Sequence, residues 1–131
     1  MAKVTGIGGV FFKTESAATA KGLSEELELP TGAWGRAFPW REREDPSRRG
    51  YTVFGLHPRD STYFTRSARD FMLNLRVDDL DGMLEKLRAR GVAVLEVFDP
   101  EPNGRFAHVA GPDGVTIELW EPVAEDPYDP A

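Results

Sequence analysis

Apolar and polar positions alternate along seven short stretches of the chain, and two stretches between them repeat apolar positions at helical spacing. Alternation marks half-buried strands, and a spacing of three to four marks an amphipathic helix. The stretches VTGIGGVFFK (4–13), AWGRAFPWR (33–41), YTVFGLH (51–57), FMLNLRV (71–77), VAVLEVF (92–98), GRFAHVAG (104–111) and VTIELWE (115–121) predict strands. Pro39 predicts an edge position or a bulge for the second. A first helix is predicted after Ser16, its cap, with Ala20, Leu23 and Leu27 as a thin apolar stripe and Pro30 as its stop. The second helix is the better defined. Asp78 or Asp79 caps it, Leu80, Met83, Leu84 and Leu87 form its stripe, and Gly91 stands where a C-terminal glycine belongs.

The element order, β-α-β-β then β-α-β-β-β, reads as a repeat with one strand shortened or missing in the first half near 30–33. A shift of 63 positions tests this reading, because it lays Gly9–Lys13 on Met72–Arg76 and Val53–His57 on Thr116–Trp120. The expected architecture is α+β: two tandem βαβββ modules, at about 4–58 and 70–122, forming a curved mixed sheet around a cleft. Residues 1–122 make one domain, and the proline-rich acidic segment 123–131 is a tail.

Alternation also assigns faces. Val10, Phe12, Phe54, Leu56, Leu73, Leu75, Val77, Ile117 and Leu119 are expected toward the helices. Gly9, Phe11, Lys13, Val53, Gly55, His57, Met72, Asn74, Arg76, Thr116, Glu118 and Trp120 are expected toward the cleft. A carboxylate on that side needs a cation, a donor or a proton, since an unpaired buried charge is costly. Arg76, a ligand or a metal could serve Glu118.

Composition narrows the chemistry. There is no cysteine, which excludes disulfides, thiolate nucleophiles and cysteine-based metal sites. Sixteen basic against twenty-two acidic residues give a net charge of −6, which argues against nucleic acid as a partner. The mixed-charge stretch Arg41–Arg49 reads as a solvated loop. With no apolar run long enough to span a bilayer and no secretory signal in MAKVTGIGGVFF, a soluble cytoplasmic protein that binds no membrane is expected.

The paired modules, the string NLRVDDLDGMLEKLRARGV, the ending NGRFAHVAGPDGVTIELWEP and the opening GIGGVFFK resemble the vicinal oxygen chelate superfamily of glyoxalase, bleomycin-resistance and extradiol-dioxygenase proteins. The resemblance extends to about Pro122 and implies a homodimer. It also implies four metal-ligand positions, on the first and last strand of each module, which fall here on Gly9, Gly55, Met72 and Glu118. Glu118 alone of these offers an oxygen donor, so no cofactor is expected, a divalent metal ion being the alternative.

Three functions stay open on these residues. A binding module would hold a small aromatic or oxygenated metabolite using Phe11, Trp34, Phe38, His57, Met72, Asn74, Arg76 and Trp120, with Trp40 beside them. A glyoxalase-like lyase, isomerase or dioxygenase would use Glu118 as the candidate catalytic residue, with a metal or as a bare base. A non-catalytic interaction domain would fill the cleft with its own side chains. His57 is expected at a strand end or the cleft mouth, the face of His108 is undetermined, and Tyr51 and Tyr63 carry no signal beyond composition.

Overall fold

The computed structural model describes residues 1–15, 17–28, 35–64 and 68–123. In chain order the elements are β1 (Val4–Thr14), α1 (Ala17–Glu26), β2 (Gly35–Arg41), β3 (Arg49–Pro58), a 3-10 turn (Thr62–Phe64), β4 (Phe71–Val77), α2 (Leu80–Ala89), β5 (Val94–Val97), β6 (Gly104–Ala110), a 3-10 turn (Pro112–Gly114) and β7 (Thr116–Pro122). The seven strands form one mixed sheet in the order β2-β3-β1-β4-β7-β6-β5. Its centre is the antiparallel seam of β1 against β4, where the two halves meet.

The repeat is visible in the register. Val10 faces Phe54 in the parallel pair β1/β3, and Leu73 faces Ile117 in the parallel pair β4/β7, each residue 63 positions beyond its counterpart. The outer hairpins break the offset. Gly55 pairs with Gly35 across twenty residues, whereas Glu118 pairs with His108 across ten. The extra chain of the first hairpin includes the charged turn at 42–48, where Ser47 donates from its backbone N and its Oγ to Asp45 Oδ1 and holds that carboxyl below the usual range.

Side-chain alternation builds the core chiefly in the second half. Val77, Leu80, Met83, Leu84, Ala107, Val109 and Leu119 are buried together with Ala2, and Leu75, Leu87 and Ile117 pack around them. At the start of α2, Asp79 is the cap: its Oδ1 accepts from Gly82 N at 3.0 Å, and Glu121 Oε1 accepts from Leu80 N at 2.9 Å. Two of the free N–H groups of the first turn are thereby satisfied. Asp78 instead ties the chain start, accepting from Lys3 N at 2.8 Å. Gly91, at φ +80°, takes the left-handed conformation that ends the helix.

The first half departs from its expected packing. α1 ends at Glu26, so Leu27 lies beyond it, and Leu23 and Leu27 are 36% and 55% exposed while Ser24 is buried. The apolar stripe was too thin to seat the helix. Phe12 likewise remains exposed, packed loosely beside Phe54 and Phe71. The expected cap Ser16, the stop Pro30, the shortened strand at 30–33 and the tail from 124 lie outside the described residues. No described helix is long and apolar enough to cross a membrane.

Candidate functional site

Parallel pairing of β4 with β7 sets Asn74 opposite Glu118, and antiparallel pairing of β6 with β7 sets His108 opposite the same residue. Residues paired in this way point to one side of a sheet. Three polar side chains from three adjacent strands therefore meet on the face away from α2, each at most 3% exposed. Asn74 Nδ2 donates to Glu118 Oε1 at 2.6 Å. His108 Nε2 lies 2.8 Å from Glu118 Oε2. The register settles the side on which His108 stands.

A fourth group arrives from outside the sheet. The connection between β3 and β4 turns immediately after Pro58, with Ser61 N donating to Pro58 O at 2.9 Å and Tyr63 N to Ser61 Oγ at 3.2 Å. That turn directs Tyr63 over the site, where its hydroxyl donates to Glu118 Oε2. The far end of the connection is fixed by Ala68 N on Gly114 O and Arg69 Nε on Asp113 O, and its neck is closed by Arg59 and Asp70 at 2.9 Å.

Aromatic rings enclose the phenol. Tyr63 stacks on His57, with centroids 5.7 Å apart and planes 5° apart, and on Phe98 at 6.1 Å; it packs edge-to-face with His108 at 5.1 Å. Phe11 continues the wall beyond His57 at 5.6 Å. Dry surroundings destabilise charge: burial pushes the Glu118 carboxyl up to about 8 and lowers the pKa of His57.

Glycine at position 8 makes room for this cluster. The pairing of β1 with β4 slips between Ile7 and Gly9, leaving Gly8 as an extra residue. A Cβ there would collide with Asn74 Oδ1 and approach Trp120 Cε3 at 2.9 Å. Asn74 Oδ1, buried against Gly8, has no hydrogen-bond partner among the described residues.

The expected site residues divide. Glu118, Asn74, Phe11 and His57 join the cluster, and Trp120 flanks it through its contact with Gly8. Met72 is fully buried one step along β4. Arg76 does not pair with Glu118; its guanidinium stands between the rings of Trp40 and Trp120, 4.8 and 4.7 Å from their centroids, and Nη1 donates to Tyr51 O. Cation–π stacking holds Arg76 in place of the ion pair with Glu118 that the sequence leaves open as one of its readings. Phe38 faces Thr52, in alternation with the Ala37–Val53 pair, so it shares the side of Phe54 rather than of Gly55, and is 41% exposed. Trp34 lies outside the described residues.

Two residues without a marked signal prove central. Tyr63 sits in a loop, and Phe98, expected as the last residue of a strand at 92–98, falls just past the end of β5. Tyr51 also has a definite place, buried against Trp120 at 5.3 Å.

The four positions that the family resemblance assigns to a metal do not fit a hard divalent cation. Gly9 and Gly55 present no donor, Met72 offers a buried thioether, and both oxygens of Glu118 already engage Asn74, His108 and Tyr63. At Gly55 a Cβ would meet the Phe11 ring at 2.5 Å, so that ring fills the place of a first-module ligand. Among the described residues, no three His, Asp or Glu side chains are grouped to hold a metal.

Comparison with known proteins agrees with this architecture. Methylmalonyl-CoA epimerase from Mycobacterium tuberculosis is similar at 23% identity and a TM-score of 0.57, over 92% of this chain and 89% of that one. A variant of the Streptomyces coelicolor methylmalonyl-CoA epimerase, in complex with 2-nitronate-propionyl-CoA, is similar at 17% identity and a TM-score of 0.65, over 93% and 100%. An uncharacterised protein from Methanosarcina mazei is similar at 19% identity and a TM-score of 0.56, over 96% and 98%. At these identities the likeness is one of fold. No curated protein matches the sequence. Residues 40–119 match the family model, and the chain belongs to the Glyoxalase/Bleomycin resistance protein/Dioxygenase superfamily.

Proposed function

We propose that this protein binds a small aromatic or oxygenated molecule against the His57 and Phe98 rings, holding the molecule's polar group at Glu118 without the family's usual metal. The observation that carries the reading is the gathering of Asn74, His108 and Tyr63 around one buried carboxyl while Gly9, Gly55 and Met72 occupy the other ligand positions. An apolar enclosure with a few convergent polar groups is the usual makeup of a small-molecule site.

A second reading has its own support. The 2.8 Å contact of His108 with Glu118 places a base beside an acid in dry surroundings, an arrangement suited to moving a proton without a metal. Under either reading the ligand reaches Glu118.

Ligand-observed NMR with a library of small aromatic and oxygenated compounds, before and after exhaustive chelation, tests the proposal. Binding that survives chelation and weakens about tenfold or more in Glu118→Ala supports it. Stoichiometric metal, with ligand binding that disappears on chelation, would sink it.

A further inference from the structure

The chain places one of its own side chains where a ligand would be held. Strands supply the carboxyl and most of the surrounding wall, while the occupant comes from the crossover connection: the ring of Tyr63 stacks with both His57 and Phe98, and its hydroxyl donates to Glu118. The sheet's hydrogen-bond ladders do not require that residue. Its backbone belongs to the 3-10 turn at Thr62–Phe64, outside every strand.

We propose that Tyr63 is a resident internal ligand, and that the molecule it stands in for is a para-substituted monohydric phenol. This inference rests on the binding reading above and names its ligand class. Each part of the phenol has a counterpart. The flat ring stacks with His57 and with Phe98 and packs edge-to-face with His108; the hydroxyl meets a carboxyl oxygen. The para position is where the tyrosine side chain joins its backbone in the turn at Thr62–Phe64, outside every strand, and this is the position at which the free molecule carries its substituent.

An entering phenol must displace a tethered competitor. A side chain attached through a short connection is present at a high effective concentration, which lowers the apparent affinity of the free molecule. Removing the tyrosine ring removes the competitor and leaves its shape behind. A site fitted to a hydroxyl also rejects the same ring without one, because a buried polar group is then left unmatched.

The experiment uses p-cresol, the tyrosine side chain as a free molecule, with toluene as its hydroxyl-free control. Both are titrated calorimetrically into the wild-type protein and Tyr63→Ala, each verified as folded by circular dichroism. In parallel, the wild-type protein is labelled with 3-fluorotyrosine, and Tyr63→Phe identifies the Tyr63 resonance among the three tyrosines. The expected result is p-cresol binding to Tyr63→Ala at least about tenfold more tightly than to wild type and about tenfold more tightly than toluene. In wild type, saturating p-cresol shifts the Tyr63 fluorine signal.

Equal affinity for p-cresol and toluene, no gain in folded Tyr63→Ala, or p-cresol binding that leaves the Tyr63 signal unmoved would each overturn the proposal. Should Tyr63→Ala fail to fold, the fluorine experiment decides alone. If p-cresol fails everywhere while another compound binds in a Glu118-dependent way, the resident-ligand inference falls and the binding function stands.

Discussion

His108 and Glu118 are directly opposed across β6 and β7, with Nε2 2.8 Å from Oε2 and each side chain at most 3% exposed. Burial favours the uncharged form of that carboxyl.

A pH dependence follows. The folded carboxyl has a pKa of about 8 against 4.5 for the free group, so folding takes up a proton between these values. Stability then falls as pH rises through that window, on the order of 1.4 kcal/mol per unit. Urea melts of the wild-type protein at intervals from pH 5 to 8 should show this decline. Glu118→Gln, which cannot ionise, should flatten it; parallel pH profiles for the two proteins would show that Glu118 is not the titrating group.

Gly8→Ala should cost about 1–3 kcal/mol, since its Cβ has to displace Asn74 from Glu118 or move the Trp120 ring. Gly6→Ala is the control on the same strand. A Cβ at position 6 would meet nothing within 4 Å, and thermal melts should find that variant within about 0.5 kcal/mol of wild type.

The halves should respond differently to truncation of their helices. Leu84→Ala removes a side chain that is 3% exposed within the main core and should cost roughly 2–5 kcal/mol. Leu23→Ala, at a position 36% exposed on α1, should cost less than about 1 kcal/mol. Chemical denaturation of both variants reads the difference directly, and similar losses would contradict the lopsided packing.

Asp79→Ala should cost about 1 kcal/mol, because Gly82 N loses its acceptor at the start of α2. Asp78→Ala leaves that cap intact. If denaturation showed Asp78→Ala to weaken the protein more, the chain-start contact with Lys3 N would outweigh the helix cap.

Sequence pattern reached the repeat, the central strands and α2, because each rests on local periodicity that its neighbours reinforce. β4 has the expected ends, and Leu80, Met83 and Leu84 are buried as their spacing predicts. It also placed Glu118 and Asn74 on one face. Long-range register was less accessible: nothing near His108 says that it faces Glu118, since that depends on how ten residues of hairpin close. Arg76 illustrates a competition that charge counting misses, in which two indole rings hold a cation near a carboxyl without ion pairing. Tyr63 was illegible because loop residues have no periodicity to read.

The connection from β3 to β4 is the covalent join between the two copies of the repeat, and it also carries Tyr63. Its length is therefore a setting for the site, independent of the identity of any residue in it. Adding a few glycines inside the loop that Arg59 and Asp70 close would slacken the tether without altering one atom of the pocket wall, converting a close-fitting occupant into a loosely held one. A change in spacing between the duplicated halves is thus a route by which this fold can retune occupancy while leaving its chemistry untouched.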